Sequence, residues 1–312
     1  MPAPTVSVVI PTYNSVRYLA EAVESVLAQT ITDVEVIVVD DGSTDGTQAL
    51  MARYAGSVRY FRQDNSGVST ARNFGLAQSA GRYIAFLDAD DTWFPNKLER
   101  QLEALAKEPD YHACYSAFVR VTSDLDLLEI WRGSRHGSAL ADLLTRGNII
   151  GSVSVLCERK VFTEVGGFDR SLSQCADWDM WVRLAARTDF LYLDEPLLNY
   201  RQHGSNMSRD PALLERDSIR VLEKGFAMDC VPGAVAALRR HAFARNYTVL
   251  AGTYFGAGKY VDFLRCAARA VSLEPSQINY LAAYPFRVGS RLKARLKTNA
   301  SLAADDRYGK AL

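Results

Sequence analysis

The chain has 312 residues, 48% of them hydrophobic, which is enough for a full core in one large domain or two smaller ones. Lys and Arg number 36 and Asp and Glu number 36, so the net charge is zero and binding to nucleic acid through overall charge is excluded. The five cysteines are scattered without metal-finger spacing, and no apolar run approaches the ~18 residues of a spanning helix.

The N-terminus MPAPTVSVVI lacks the basic and long apolar segments of a signal peptide, so a cytoplasmic protein is expected. Val6 to Ile10 reads as a strand, followed by the turn Pro11-Thr12-Tyr13-Asn14. Asn14 or Ser15 can cap a helix in which Val16, Leu19, Val23, Val26 and Leu27 recur at helical spacing. Val34 to Val39 is a second strand ending in Asp40-Asp41-Gly42-Ser43. Ser43 or Thr44 is expected to cap a helix running to about Tyr54. A short strand spans Val58 to Phe61, and a helix runs from Val68 to Ser79. Tyr83 to Asp91 reads YIAFLDADD: an apolar run without polar alternation, as in a strand buried on both faces, that ends in three carboxylates. Strand and helix alternate four times, the pattern of a doubly wound, mostly parallel sheet.

Beyond Trp93 a charged helix runs from Asn96 to about Lys107, and Tyr111 to Val121 is rich in β-formers. Residues 122–150 show no regular pattern and are expected to form a flap or acceptor-side loop. Val153 to Leu156 reads as a short strand with a helix after it, Gly166 to Asp169 as a turn, Asp177 to Arg187 as a helix and Phe190 to Leu193 as a strand. The character then changes, predicting a division into 1–205 and a helical region, 206–312. There, Tyr247 to Pro275 reads as a helical hairpin turning at Gly256-Ala257-Gly258. The run 287–297 carries Arg287, Arg291, Lys293, Arg295 and Lys297 beside an apolar stripe of Val288, Leu292 and Leu296. Such a segment suits an anionic membrane surface or a solvated helix face.

The strand ends converge. Open α/β sheets bind ligands at the carboxyl ends of their strands. Here those ends carry Thr12 and Tyr13, Asp40 and Asp41, and Asp88 and Asp90. Asp88 and Asp90 are two apart and project alike from extended backbone, which suits a hard cation such as Mg²⁺ or Mn²⁺; a polar turn is the plainer alternative. The chain has neither GxxxxGK[ST] nor GxGxxG, so a diphosphate would be met by a metal on Asp90 and a cation such as Arg72.

The segments SVVIPTYN, VIVVDDGSTDGT, NSGVSTARNFG and YIAFLDADD occur in the order seen in family 2 glycosyltransferases with the GT-A fold, which the chain resembles over about its first 205 residues. GGFD (Gly166 to Asp169), ADWDMWVRLA (Ala176 to Ala185) and YRQHGSNMS (Tyr200 to Ser208) look like that family's acceptor-side signatures. The resemblance implies that Pro11, Thr12, Tyr13, Asp40 and Asp41 line the nucleotide, with Arg72 near base or phosphates and Asp88 at the ribose or sugar. It implies a metal on Asp90 with His203 nearby, and acceptor or sugar contacts from Gly166, Gly167, Trp93, Trp178 and Arg201. The family's base is the Asp of a Glu-Asp pair. Ala176 replaces the Glu, so Asp177 matches the base by position, with an N-cap role as the plainer alternative and Asp179 as a rival.

The resemblance thus implies an inverting enzyme that moves one sugar from a nucleotide-diphosphate sugar, UDP-linked by preference, to a glycan or lipid-linked acceptor in cell-surface polysaccharide synthesis. The QxxRW signature of processive synthases is absent. A binding subunit with a decayed site is the alternative that Ala176 leaves open. A sugar-1-phosphate nucleotidyltransferase fits less well, because Pro11 to Asn14 is no glycine-rich basic loop.

Overall fold

The computed structural model describes residues 3–133, 138–203 and 210–282. In chain order its first half comprises β1 (Val6–Thr12), α1 (Val16–Leu27), β2 (Val34–Asp40), α2 (Thr47–Ala52), β3 (Arg59–Arg62), α3 (Val68–Gln78), β4 (Tyr83–Phe86), β5 (Thr92–Trp93), α4 (Lys97–Lys107) and β6 (Ala113–Val121). Then follow β7 (Leu127–Trp131), α5 (Ala139–Arg146), a 3-10 turn (Ser152–Ser154), β8 (Leu156–Glu158), α6 (Arg159–Val165), α7 (Ala176–Ala185) and β9 (Phe190–Arg201). The helical region comprises α8 (Pro211–Phe226), α9 (Gly233–Ala236), α10 (Arg239–Gly256), α11 (Tyr260–Leu273) and α12 (Gln277–Ala282).

The strands form one sheet in the order β3-β2-β1-β4-β8-β6-β9-β5, with β7 paired to β6. The half from β3 to β4 is parallel, as the alternation of strand and helix predicts. The other half is mixed: β8 runs antiparallel to β4 and β6, β9 runs parallel to β6, and β5 runs antiparallel to β9. Every residue of β1 and β4 is buried, which is why neither strand alternates in sequence. Helix α3 lies so close to β1 that a Cβ on Gly75 would stand 2.3 Å from the Val9 side chain.

The chain leaves β1 first toward β2 and later toward β4, so the order reverses at β1. Such a reversal opens a crevice at the carboxyl ends of the flanking strands. Register aligns Thr12 with Asp40, and Leu87 still donates to the Val9 carbonyl, so Asp88 to Asp91 emerge into that crevice.

Three local expectations change. Helix α2 starts only at Thr47, because Asp45 rather than Ser43 accepts from the Thr47 N–H and hydroxyl. Val153 lies in the 3-10 turn, and the strand expected there is shifted to Leu156–Glu158. Residues 122–150 hold β7, which folds back on β6 with Trp131 stacked on Phe118, and the amphipathic α5.

The helical region shares the main core. Val221, Leu222, Val235 and Ala242 pack in one cluster with Leu143, Phe168, Trp178 and Trp181. Leu250, Ala251, Tyr254, Cys266, Ala270 and Leu281 form a smaller core beyond it, built on the expected hairpin of α10 and α11. The basic segment 287–297 lies outside the described residues. Among these, no helix is long and apolar enough to cross a membrane.

Candidate functional site

The strand ends expected to meet a nucleotide are those of β1 and β2. Pro11 and Thr12 are buried, and the Thr12 Oγ1 is a buried polar atom with no hydrogen-bond partner, ready for an incoming group. Tyr13 follows with its side chain 49% exposed. Asn14 takes a left-handed conformation (φ 49°), which Asn tolerates better than most residues. Its N–H donates to Ser43 Oγ and its Oδ1 accepts from the Thr44 N–H, tying the two strand-end loops together.

The two adjacent aspartates separate. Asp40 is 0% exposed; its Oδ1 accepts from the Ser43 N–H and its Oδ2 from the Tyr60 hydroxyl at 2.5 Å. The expected nucleotide contact of Asp40 is therefore corrected: both oxygens hold the β2 loop from within. Asp41 accepts from Gln63 Nε2 and the Ser66 N–H on Oδ1 and from the Gly67 N–H on Oδ2. It shapes the turn that starts α3 at the correct height to deliver Arg72. One carboxylate oxygen has two acceptor positions, so Oδ2 keeps capacity for a base.

After β4 each of the three acids takes different partners. Arg72 Nη2 donates to Asp88 Oδ1 at 2.6 Å, and Ser152 Oγ reaches Asp88 Oδ2 at 3.3 Å. Asp90 Oδ2 lies 2.8 Å from His203 Nε2. Asp91, buried, accepts from the Arg201 N–H and so fixes the end of β9. Burial, then the charges of Asp90 and Asp88, push the Asp91 carboxyl well above its usual range. Burial and then Asp88 raise Asp90 also, against the pull of His203.

The His203 ring stacks on Tyr18 of α1 with centroids 5.1 Å apart, and the Arg201 guanidinium sits 4.6 Å from the same ring. Arg201, 1% exposed, sends Nη2 to Glu21 at 2.6 Å. It anchors β9 to α1 through that nitrogen. Tyr18 and Glu21 were not foreseen. They look like ordinary polar positions of an amphipathic helix until β9 is folded against them.

The segment expected on the acceptor side begins α7. Asp177 is half-buried; its Oδ1 accepts from the Trp178 N–H and its Oδ2 from Asn148 Nδ2 at 3.0 Å. Burial pushes its carboxyl above the usual range, against Arg72, Asn148 and the Trp178 N–H. The N-cap is Cys175, so Asp177 lies within the first turn; its Oδ1 satisfies one amide of that turn, and its Oδ2 faces Asn148. Asp179 is buried against Arg183 and Lys224, which removes it as a rival base. Arg72 stands between the two ends: burial opposes its charge, but Asp88 and then Asp177 keep it firmly protonated.

Three more expected contacts are corrected. Trp93 is 3% exposed, donates Nε1–H to the Val153 carbonyl and packs on the Lys97 ammonium, so it is core. Trp178 is buried and donates Nε1–H to the Leu143 carbonyl. Gly167 serves packing, since a Cβ there would stand 2.5 Å from Asn73 Oδ1, which itself accepts from the Phe168 N–H. Gly166 has φ +80° with open space where a Cβ would point, so acceptor approach remains its open expectation. Asn148 escaped sequence reading because it sits after α5 in the stretch without periodicity.

The residues present suit a divalent cation in one way. Asp90 and His203 offer oxygen and imidazole nitrogen side by side in a cluster of acids whose mutual repulsion a cation relieves. Among the described residues no group of three or more His, Cys, Asp and Glu is arranged to hold a metal by itself. A cation here would complete its shell with phosphate oxygens and water, as Mg²⁺ commonly does.

Residues 7–156 match the family model for glycosyl transferase family 2. The chain is similar to the putative teichuronic acid biosynthesis glycosyltransferase TuaG of Bacillus subtilis, with 32% identity over 210 residues, 66% of this chain and 82% of that protein. Some curated relatives are much longer: the chain spans 29% of one matched at 36% identity and 35% of another matched at 34%. In structure it is similar to S. aureus TarS 1-349 in complex with UDP-GlcNAc (TM-score 0.66, 16% identity, covering 95% of this chain and 89% of that one). It is similar also to the mannosyltransferase PcManGT from Pyrobaculum calidifontis in complex with GDP-Man and Mn²⁺ (TM-score 0.62, 19% identity, 96% and 87% covered).

Proposed function

Since the chain belongs to glycosyl transferase family 2, we propose that it is an inverting, metal-dependent enzyme that moves one sugar from a nucleotide-diphosphate sugar to an acceptor hydroxyl. The observation that carries this reading is the position of Arg72, which pairs with Asp88 on the donor side while the charge of Asp177 acts on it from the acceptor side. Donor and base thus meet across one guanidinium.

In this reading Thr12 Oγ1 and the Tyr13 ring receive the base, and Asp41 Oδ2 accepts from it. Asp88, held by Arg72 and Ser152, orients the ribose or sugar. Asp177 takes the acceptor proton as that oxygen bonds to the anomeric carbon. The bond from that carbon to the diphosphate breaks, and its electron pair leaves on the phosphate oxygen. One displacement inverts the centre. Arg72 keeps a positive charge near the departing diphosphate, and burial of the site makes that charge worth more than in water. Asp90 and His203 would hold a Mn²⁺ or Mg²⁺ ion, which when bound supplies Lewis-acid stabilisation to the leaving group.

UDP is the favoured nucleotide, in line with the donor in the TarS complex; GDP-Man in PcManGT makes GDP the next choice. The acceptor is a glycan or lipid-linked glycan of cell-surface polysaccharide synthesis, as the TuaG name suggests for that relative. The setting is cytoplasmic, with 287–297 offering contact to the inner face of the membrane.

The test is metal-dependent hydrolysis of UDP, GDP, dTDP and CDP sugars, with water in place of the acceptor. Asp177→Asn should lower turnover by about 10²–10⁴-fold while the nucleotide still binds. Asp90→Ala should weaken Mn²⁺-dependent UDP binding. Tight UDP binding with no turnover of any sugar would instead indicate a binding subunit.

A further inference from the structure

We propose that Asp217 and Lys224 of α8 are positioning residues for the base, so that the helical region is a working part of the catalytic site. The inference rests on the reading of Asp177 as base.

The loop from Asp169 to Cys175 joins α6 to α7 and carries Asp177 at its far end. It has no strand or helix of its own to hold it. Ser69 of α3 donates to its Leu172 carbonyl and Asp169 accepts from the Ser171 N–H, but the two amides next to α7, those of Ser173 and Gln174, are held by one side chain of α8. Asp217, 0% exposed, accepts on Oδ2 from the Ser173 N–H at 2.8 Å and the Gln174 N–H at 2.9 Å, while its Oδ1 takes Arg216. Burial opposes the charge of Asp217, but the Ser173 N–H, Arg216 and the Gln174 N–H hold its carboxyl below the usual range. A buried carboxylate with its acceptor positions filled is a fixed post. Gln174 Nε2 adds a bond to the Asp210 carbonyl, just before α8 begins.

Lys224, two helical turns along, grips both sides of the same loop. It reaches Asp169 Oδ2 at 2.8 Å at the loop's start and Asp179 Oδ1 at 2.5 Å one residue pair past the base. Asp179 in turn holds Arg183, which donates to the Val165 and Gly167 carbonyls. The first turn of α7 is thereby tied to the glycine turn on one side and to α8 on the other. Among the described residues the Asp177 carboxylate accepts from Asn148 and from the Trp178 N–H, so its position depends on how this frame holds the backbone. Displacing a catalytic group by about 1 Å can cost about 10²-fold in rate.

A control lies on the same helix. Glu215 binds Arg265 of α11 through both oxygens at 2.6 Å and accepts from the Tyr254 hydroxyl. This contact fastens α8 to the outer hairpin and touches nothing in the loop.

The experiment measures hydrolysis of the four-sugar panel with Mn²⁺ and, on nucleotide-free protein, hydrogen exchange of residues 171–178. Asp217→Ala should lower kcat by about 10- to 100-fold, leave the donor KM within about twofold, and speed exchange in 171–178. Lys224→Met should act in the same direction with a smaller loss, and Asp217→Asn, which keeps an oxygen for the two amides, should recover most of the rate. Glu215→Gln should lower the melting temperature and spare both readouts. Wild-type turnover and exchange in Asp217→Ala would overturn the proposal, as would an equal loss in Glu215→Gln. Retained turnover in Asp177→Asn would overturn the base assignment instead, and is distinguishable because failure of the clamp alone leaves Asp177→Asn inactive.

Discussion

At the scale of single residues, the site turns on how burial and neighbours set one carboxyl. Asp177 is raised by burial and lowered by Arg72 and Asn148. As the proposed base it must be ionised, so the acid limb of the pH–rate profile should lie above the ordinary Asp range of about 4. Asn148→Ala removes a bond that favours the charged form, so that limb should move to higher pH, read from kcat/KM profiles of the two proteins. Stability runs the other way. With its folded pKa above the unfolded value, Asp177 stabilises the fold below the unfolded pKa and loses that contribution as pH rises through the folded one. At pH 7 the charged side chain is therefore a cost, and Asp177→Asn should melt higher than the parent while losing activity, the trade expected at a strained functional position. A lower melting temperature for Asp177→Asn at pH 7 would contradict this.

At the scale of elements, α4 shows how a polar residue is used inside the fold. Lys97 is fully buried; its Nζ lies 3.9 Å from the Trp93 ring centroid and donates to Gln101 Oε1, while Gln101 Nε2 donates to the Ser154 carbonyl. This chain of contacts supports the 3-10 turn from which Ser152 reaches Asp88. Burial lowers the Lys97 ammonium to about 7. The unfolded chain binds this proton up to about pH 10.4 and the folded chain only to about 7, so this group's contribution to stability rises with pH across that window. Relative to Lys97→Met, the parent should gain melting temperature steadily between pH 7 and 10. A constant difference across that range would show that the lysine stays charged in the fold.

At the scale of the whole molecule, the helices after β9 belong to the core they cover. Val221 and Leu222 of α8 and Ala242 of α10 share a cluster with Trp181 and Phe168. Removing residues 206–312 would bare that cluster and take away Asp217 and Lys224. Large contiguous apolar surface is not tolerated by a soluble monomer. Residues 1–205 alone should therefore fail to unfold cooperatively and should bind a hydrophobic dye. A sharp melt of that fragment would instead make the helical region an independent domain.

What the sequence by itself determined was the first half of the sheet and the chemistry at its edge. Buried parallel strands are written as near-continuous apolar runs, and Val8–Ile10 of β1, Val36–Val39 of β2 and all of β4 are; the acids and Thr12 stand after those runs stop. Local periodicity and motif order carry that information within about ten residues of each element. Only the tertiary structure decided which polar residues face the crevice. Asp40 and Asp41 are neighbours in sequence, yet one is sealed by Tyr60 and the other holds the start of α3. Asp177 and Asp179 share one helical turn, yet Lys224, 45 positions beyond Asp179 along the chain, pairs with the second while the first meets Asn148. Trp93 and Trp178 carry the residue type of a sugar site and are buried, each donating its indole N–H to a backbone carbonyl. A side chain's role is set by the partners that folding brings within about 3 Å, and those partners are remote in sequence.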